Sequence, residues 1–156
     1  MRRSDSHLRQ FRPVVQRVEV TDCPRRGNDF DYADAFVVDL PQAELQPPER
    51  WVRAGMEDSP ALVEWVATVL GLGNRPDPGS PEIAHGTVIE STPDLVEIEW
   101  SLPLMDVVVI GRRPEPASRS LSSFLYFRRP VLARLVWSVV GIGHRQMACG
   151  LITRNR

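Results

Sequence analysis

The chain contains no lysine: all nineteen of its basic residues are arginine. That absence excludes Schiff-base chemistry at a lysine amine and any phosphate-binding loop that depends on a lysine. Cysteine is nearly as scarce. Cys23 and Cys149 stand far apart and belong to no metal or redox spacing, so neither a disulfide framework nor a zinc site is expected, and a reducing compartment fits. Long apolar runs are missing too. The longest, Val131 to Ile142, is interrupted by Arg134 and falls short of the roughly 18–20 residues a membrane-spanning helix needs. Arg2 and Arg3 are followed by no apolar run, so no secretory signal is read there and a cytoplasmic, soluble protein is expected. Excess charge of one sign is also lacking. Twenty acidic residues against nineteen basic ones leave a net charge of −1, which supplies no field toward nucleic acid or membrane, and neither is an expected partner. No metal-ligand cluster, phosphate loop or nucleophile motif appears, and no cofactor is expected.

What the chain does have is enough for one core: 156 residues, 42% of them hydrophobic. Residues 1–29 read as a basic arm, with Arg2, Arg3, Arg9, Arg12, Arg17, Arg25 and Arg26, a short strand over 14–20 and a turn around Pro24 to Asn28; residues 30–156 read as the domain. Alternation predicts a strand over 32–40, with Ala35, Val37 and Asp39 on one face and Phe36, Val38 and Leu40 on the other. Pro47-Pro48-Glu49 opens a helix to about Met56, and Ser59-Pro60 opens a second to Gly71. A breaker-rich loop over 73–81 follows, and after it come strands. Strands over 86–91 and 94–102 form a hairpin at Thr92-Pro93, pairing Ile89 with Val96, Thr87 with Ile98 and His85 with Trp100; moving the loop by one residue keeps the same faces together. Strands over 105–112 and 119–127 complete the set, and the register across Leu102-Pro103-Leu104 leaves Asp106 pointing inward or outward. Pro130 then starts a long helix to about Ile152, on which Leu132, Leu135, Val136, Val139, Val140 and Met147 recur near one face. The fold class is α+β: an antiparallel sheet wrapped around a long C-terminal helix, with two short helices after the first strand of the domain.

This order of elements, together with Asp31-Tyr-Ala-Asp-Ala-Phe36, Pro47-Pro-Glu-Arg-Trp51, Gly86-Thr-Val-Ile-Glu-Ser-Thr-Pro-Asp-Leu95 and Tyr126-Phe-Arg-Arg-Pro130 leading to Gly143-His-Arg145, resembles the helix-grip proteins of the START and polyketide-cyclase-like superfamily, closest to an uncharacterised bacterial branch. The resemblance covers roughly residues 30–152, with fewer and shorter strands than the six or seven of larger members. It implies a cavity between sheet and helix that takes a small hydrophobic or amphipathic metabolite. Some such proteins cyclise or dehydrate polyketides and others carry lipids.

Candidate residues follow on that frame. Ile89, Ile98, Trp100, Trp137 and His144 are the expected ligand-binding set, Tyr126 also lining the cavity; His144 follows Trp137 by seven residues and so shares its helical stripe, while Gly141 and Gly143 thin the helix there. In the alternative reading, a cofactor-independent cyclase or dehydratase, His85, Asp106 and Tyr126 act as acid and base, with Tyr126 donating to a developing enolate. A third reading makes the domain a dimerising interaction module, with exposed apolar residues of the last helix as the contact.

Overall fold

The computed structural model describes residues 13–57 and 82–154. Seven strands form one antiparallel sheet: β1 (Val15–Val18), β2 (Tyr32–Asp39), β3 (Glu82–Ile83), β4 (Gly86–Ser91), β5 (Leu95–Ser101), β6 (Met105–Arg112) and β7 (Ser118–Phe127). Their spatial order is β1-β2-β7-β6-β5-β4-β3. Helix α1 (Pro48–Glu57) follows β2, and the 24-residue α2 (Pro130–Thr153) closes the described chain. The fold class is therefore as the sequence predicted, and the layout is compatible with a helix grip. The strand number corrects the expectation of a smaller sheet, because β3 has only two residues and carries no alternation to read. The second short helix expected at 59–71, with Trp65, lies outside the described residues.

Both faces of the sheet are covered. Toward the helices, Phe36, Val38, Val96, Ile98, Val109 and Leu121 pack with Trp51 and Val52 of α1 and Leu151 and Ile152 of α2. At the other end of the same face, Leu102, Met105 and Leu125 meet Ala133, with Trp100 and Trp137 alongside. The opposite, outer face buries Val108, Ile110, Phe124 and Tyr126 under Val20 and Phe30 of the N-terminal segment. The arm thus crosses the sheet, turning at Pro24 to Gly27 through a 2.9 Å backbone hydrogen bond, with Gly27 at φ +106°.

Register and helix face differ from the expectation in two places. The β4–β5 turn is centred on Pro93-Asp94, with the Thr92 N–H donating to the Leu95 carbonyl at 2.7 Å, so the loop sits one residue further along. A bulge between Val88 and Glu90 then inserts Ile89, and Val88, not Thr87 or Ile89, pairs with Ile98. On α2 the buried residues are Ala133, Gly141, Ala148, Leu151 and Ile152, while Leu132, Leu135 and Val139 are exposed. The helix lies close to the sheet through Ala133, Gly141 and Ala148 and buries Leu151 and Ile152 at its end, while Leu132, Leu135, Val139 and Ile142 face away.

Candidate functional site

Alternation along β2 puts Tyr32 and Asp34 on the same face as Phe36 and Val38, so a carboxylate enters an apolar stripe facing α2. Asp34 is 1% exposed. Across β2–β7 its register partner is Ser123, fully buried on the same face. From α2, His144 comes to Asp34 with Nε2 3.6 Å from Oδ1, beyond hydrogen-bond reach. The Tyr32 hydroxyl donates to Asp34 Oδ2 at 2.9 Å. Trp137 closes the group, its ring centroid 5.1 Å from that of Tyr32 and 5.0 Å from that of His144.

Electrostatics and hydrogen bonding single this place out. Burial alone would raise the Asp34 carboxyl, but the His144 imidazole and the Tyr32 hydroxyl outweigh it and hold the group below the usual carboxylate range. Burial and the neighbouring carboxylate push the Tyr32 phenol up, against the pull of Arg145. Among the described residues, Asp34 Oδ1, His144 Nε2 and Ser123 Oγ are buried and have no hydrogen-bond partner, the first two facing one another at 3.6 Å. Each such atom forfeits about 1–3 kcal/mol of hydration, and three at one seam between sheet and helix call for a common cause.

The residues singled out by sequence divide into three groups. Trp137 and His144 are brought together as their seven-residue spacing implies, and Trp100 lies in the cluster that includes Trp137. Ile98 is fully buried in the core next to α1, and Ile89 is exposed at the bulge. Gly141 makes room for the Trp137 ring, 3.4 Å from where a Cβ would stand, whereas nothing lies within 4 Å of the corresponding point on Gly143. His85 sits in the β3–β4 turn at φ +67°, following Ala84 at φ +48°. Asp106 and Tyr126 are register partners on the outer face, away from α2. Each is bonded elsewhere: the Tyr126 hydroxyl donates to the Gly27 carbonyl at 2.6 Å, and Asp106 accepts from Arg26, Arg128 and Ser101. Sequence alone does not single out Asp34, Tyr32 or Ser123. The signal for Asp34 was available, as a charged residue on the Phe36 and Val38 side of an alternating strand.

The Asp106 cluster holds the N-terminal arm. Arg26 binds Asp106 at 2.5 Å, pairs with Glu99 and lies over the Tyr126 ring at 4.9 Å, while Arg128 reaches Asp106 at 2.5 Å from the far side. Burial would raise the Asp106 carboxyl, but hydrogen bonds from Arg128 and Ser101 and the charge of Arg26 prevail and hold it below the usual range. A carboxyl lowered in this way stabilises the fold above its unfolded value near 4, and the contribution is lost as pH falls through the folded value. Asp106→Asn is therefore expected to cost about 1–2 kcal/mol near neutral pH, both arginines being partly solvated. The gap to the unsubstituted protein should close below about pH 4. Thermal unfolding at stepped pH checks this, and a gap independent of pH would contradict it.

Among the described residues no group of three or more His, Cys, Asp or Glu side chains is placed to hold a metal ion, and no helix is long and apolar enough to cross a membrane. Comparison with protein-family models, with curated proteins and with solved structures finds no match.

Proposed function

We propose that the protein binds a small amphipathic molecule at the seam between sheet and C-terminal helix, polar end toward Asp34, His144 and Ser123 and apolar end toward Trp137. The observation that carries this reading is the set of three buried polar atoms at the seam that have no hydrogen-bond partner among the described residues. Their chemistry narrows the ligand. Asp34 Oδ1 only accepts while ionised, whereas a serine hydroxyl and an imidazole can donate. A neutral hydroxyl can serve all three, donating its one proton to Asp34 and accepting from both Ser123 and His144 through its two lone pairs. A ligand carboxylate or phosphate would bring a second negative charge against Asp34. The class proposed is thus an apolar alcohol, phenol or enol. The resemblance to START and polyketide-cyclase-like proteins, whose ligands lie between sheet and helix, supports the same reading.

His85, Asp106 and Tyr126 do not share this seam, so binding is favoured over the cyclase or dehydratase alternative. The test uses tryptophan emission with 1-octanol and octanoate as probes. Saturable change with the alcohol, at least tenfold weaker with the carboxylate, and loss of most of the signal in Trp137→Phe are expected. Equal response to both probes, or a response that survives Trp137→Phe and Ser123→Ala unchanged, would overturn the reading.

A further inference from the structure

Helix α2 presents a second surface that the ligand seam leaves unexplained. Val131 (78% exposed), Leu132 (45%), Leu135 (64%), Val139 (74%) and Ile142 (65%) account for five of the nine large hydrophobic residues exposed among those described. Leu132, Leu135, Val139 and Ile142 are spaced three, four and three residues apart, the repeat that lets two helices share a seam. Further along lie two glycines that packing among the described residues does not require: around Gly143 and Gly150, none of those residues stands within 4 Å of where a Cβ would be. Glycine in a helix interior is costly relative to alanine, and neither has a positive φ to justify it.

The two features fit each other. Leu132, Val139, Gly143 and Gly150 follow one another at seven, four and seven residues, and so lie along one line of the helix, with knobs in its first half and hollows in its second. An antiparallel second copy, its two-fold axis level with residue 141, sets Val139 against Gly143 of the second copy and Leu132 against Gly150 of the second copy. The same register places Arg134 level with Ala148 and Arg145 level with Trp137 of the second copy, so neither helix arginine opposes another. Burying the stripe in both copies removes on the order of 1,000 Å² from water, near the lower bound for a specific interface. We infer that the protein forms a two-fold dimer through the outer face of α2, the apolar residues of one copy seated on the glycines of the other. The inference is independent of the ligand at the seam.

Sedimentation equilibrium of the full chain tests it, over about 1–100 μM. A species of twice 17.6 kDa is expected. Gly143→Leu fills the hollow from an open position, so it should weaken the dimer at least tenfold while leaving the fold intact or more heat-resistant; Val139→Glu should give a monomer with an unchanged circular dichroism spectrum. A chain that stays monomeric throughout the range overturns the inference, whatever else then covers the stripe. So does a dimer whose dissociation constant neither substitution moves.

Discussion

Arg119→Met is expected to be the most damaging single substitution outside the apolar core, at about 3–5 kcal/mol. Arg119 is buried in β7 and faces Glu44, itself buried, through its Nε at 2.6 Å and through a second guanidinium nitrogen. The same side chain donates to the carbonyls of Arg154 at 2.6 Å and Ile152 at 3.4 Å, and lies over the Trp51 ring at 5.3 Å. One guanidinium therefore joins the loop after β2, helix α1 and the last turn of α2, whose end has no glycine cap and no basic residue in its last turn. Methionine fills the volume but leaves the Glu44 carboxylate buried without a counter-charge. Glu44→Gln added to Arg119→Met should recover about 1–3 kcal/mol of the loss. Urea unfolding of the four proteins of that cycle measures both quantities, and a single-variant cost below about 1 kcal/mol would mean that the pair is solvated.

Gly86→Ala is expected to cost about 2–3 kcal/mol, the size of an overpacked core. At the start of β4, a Cβ would stand 2.3 Å from Trp100 Cε2, 2.6 Å from its Nε1 and 2.7 Å from Ile98 Cγ2. The indole cannot swing aside cheaply, since Nε1–H donates to the Ala84 carbonyl at 2.9 Å. Nor does Gly86 have a positive φ, so the penalty comes from packing alone. In a Trp100→Leu background the same alanine should cost less than about 1 kcal/mol. Equal costs in both backgrounds, read from chemical denaturation, would place the strain elsewhere.

These two residues mark what a single sequence conveys and what it does not. Alternation and breakers carried the strands: Met105 to Arg112 was legible to the residue, Pro130 marked the start of α2, and Pro48 marked α1. The faces of β2 were legible for the same reason, side chains of a strand alternating strictly. Ile89 was not, because one bulge residue reverses the alternation and leaves no mark in a run of alternating residue types. Charge alone reads the arm as a tail, solvated or packed at an edge, and does not show that Arg25 and Arg26 are held by Glu90, Glu99 and Asp106 of the sheet. Pairings between residues some 65 to 80 positions apart cannot be derived from local pattern. Arg119 was invisible on the same ground, as nothing near it in sequence announces Glu44.

The site was half legible. Seven-residue spacing placed Trp137 beside His144, and this is a property of one helix. The other half comes from β2 and β7, whose pairing sets Ser123 beside Asp34. On α2 the larger aliphatic residues drew attention to the wrong face. Ala133, Gly141 and Ala148 carry less apolar area, yet they let the helix approach the sheet, and approach decides which face is buried.

The most direct test of a ligand at the Asp34 and His144 seam is native mass spectrometry of the protein purified from its own host, followed by denaturation to release what is bound. The expected result is a small neutral molecule bearing a hydroxyl, one per chain, absent when Asp34→Leu protein is prepared in the same way. A bare chain in both preparations would contradict the proposal and leave the three buried polar atoms as a feature of the core alone.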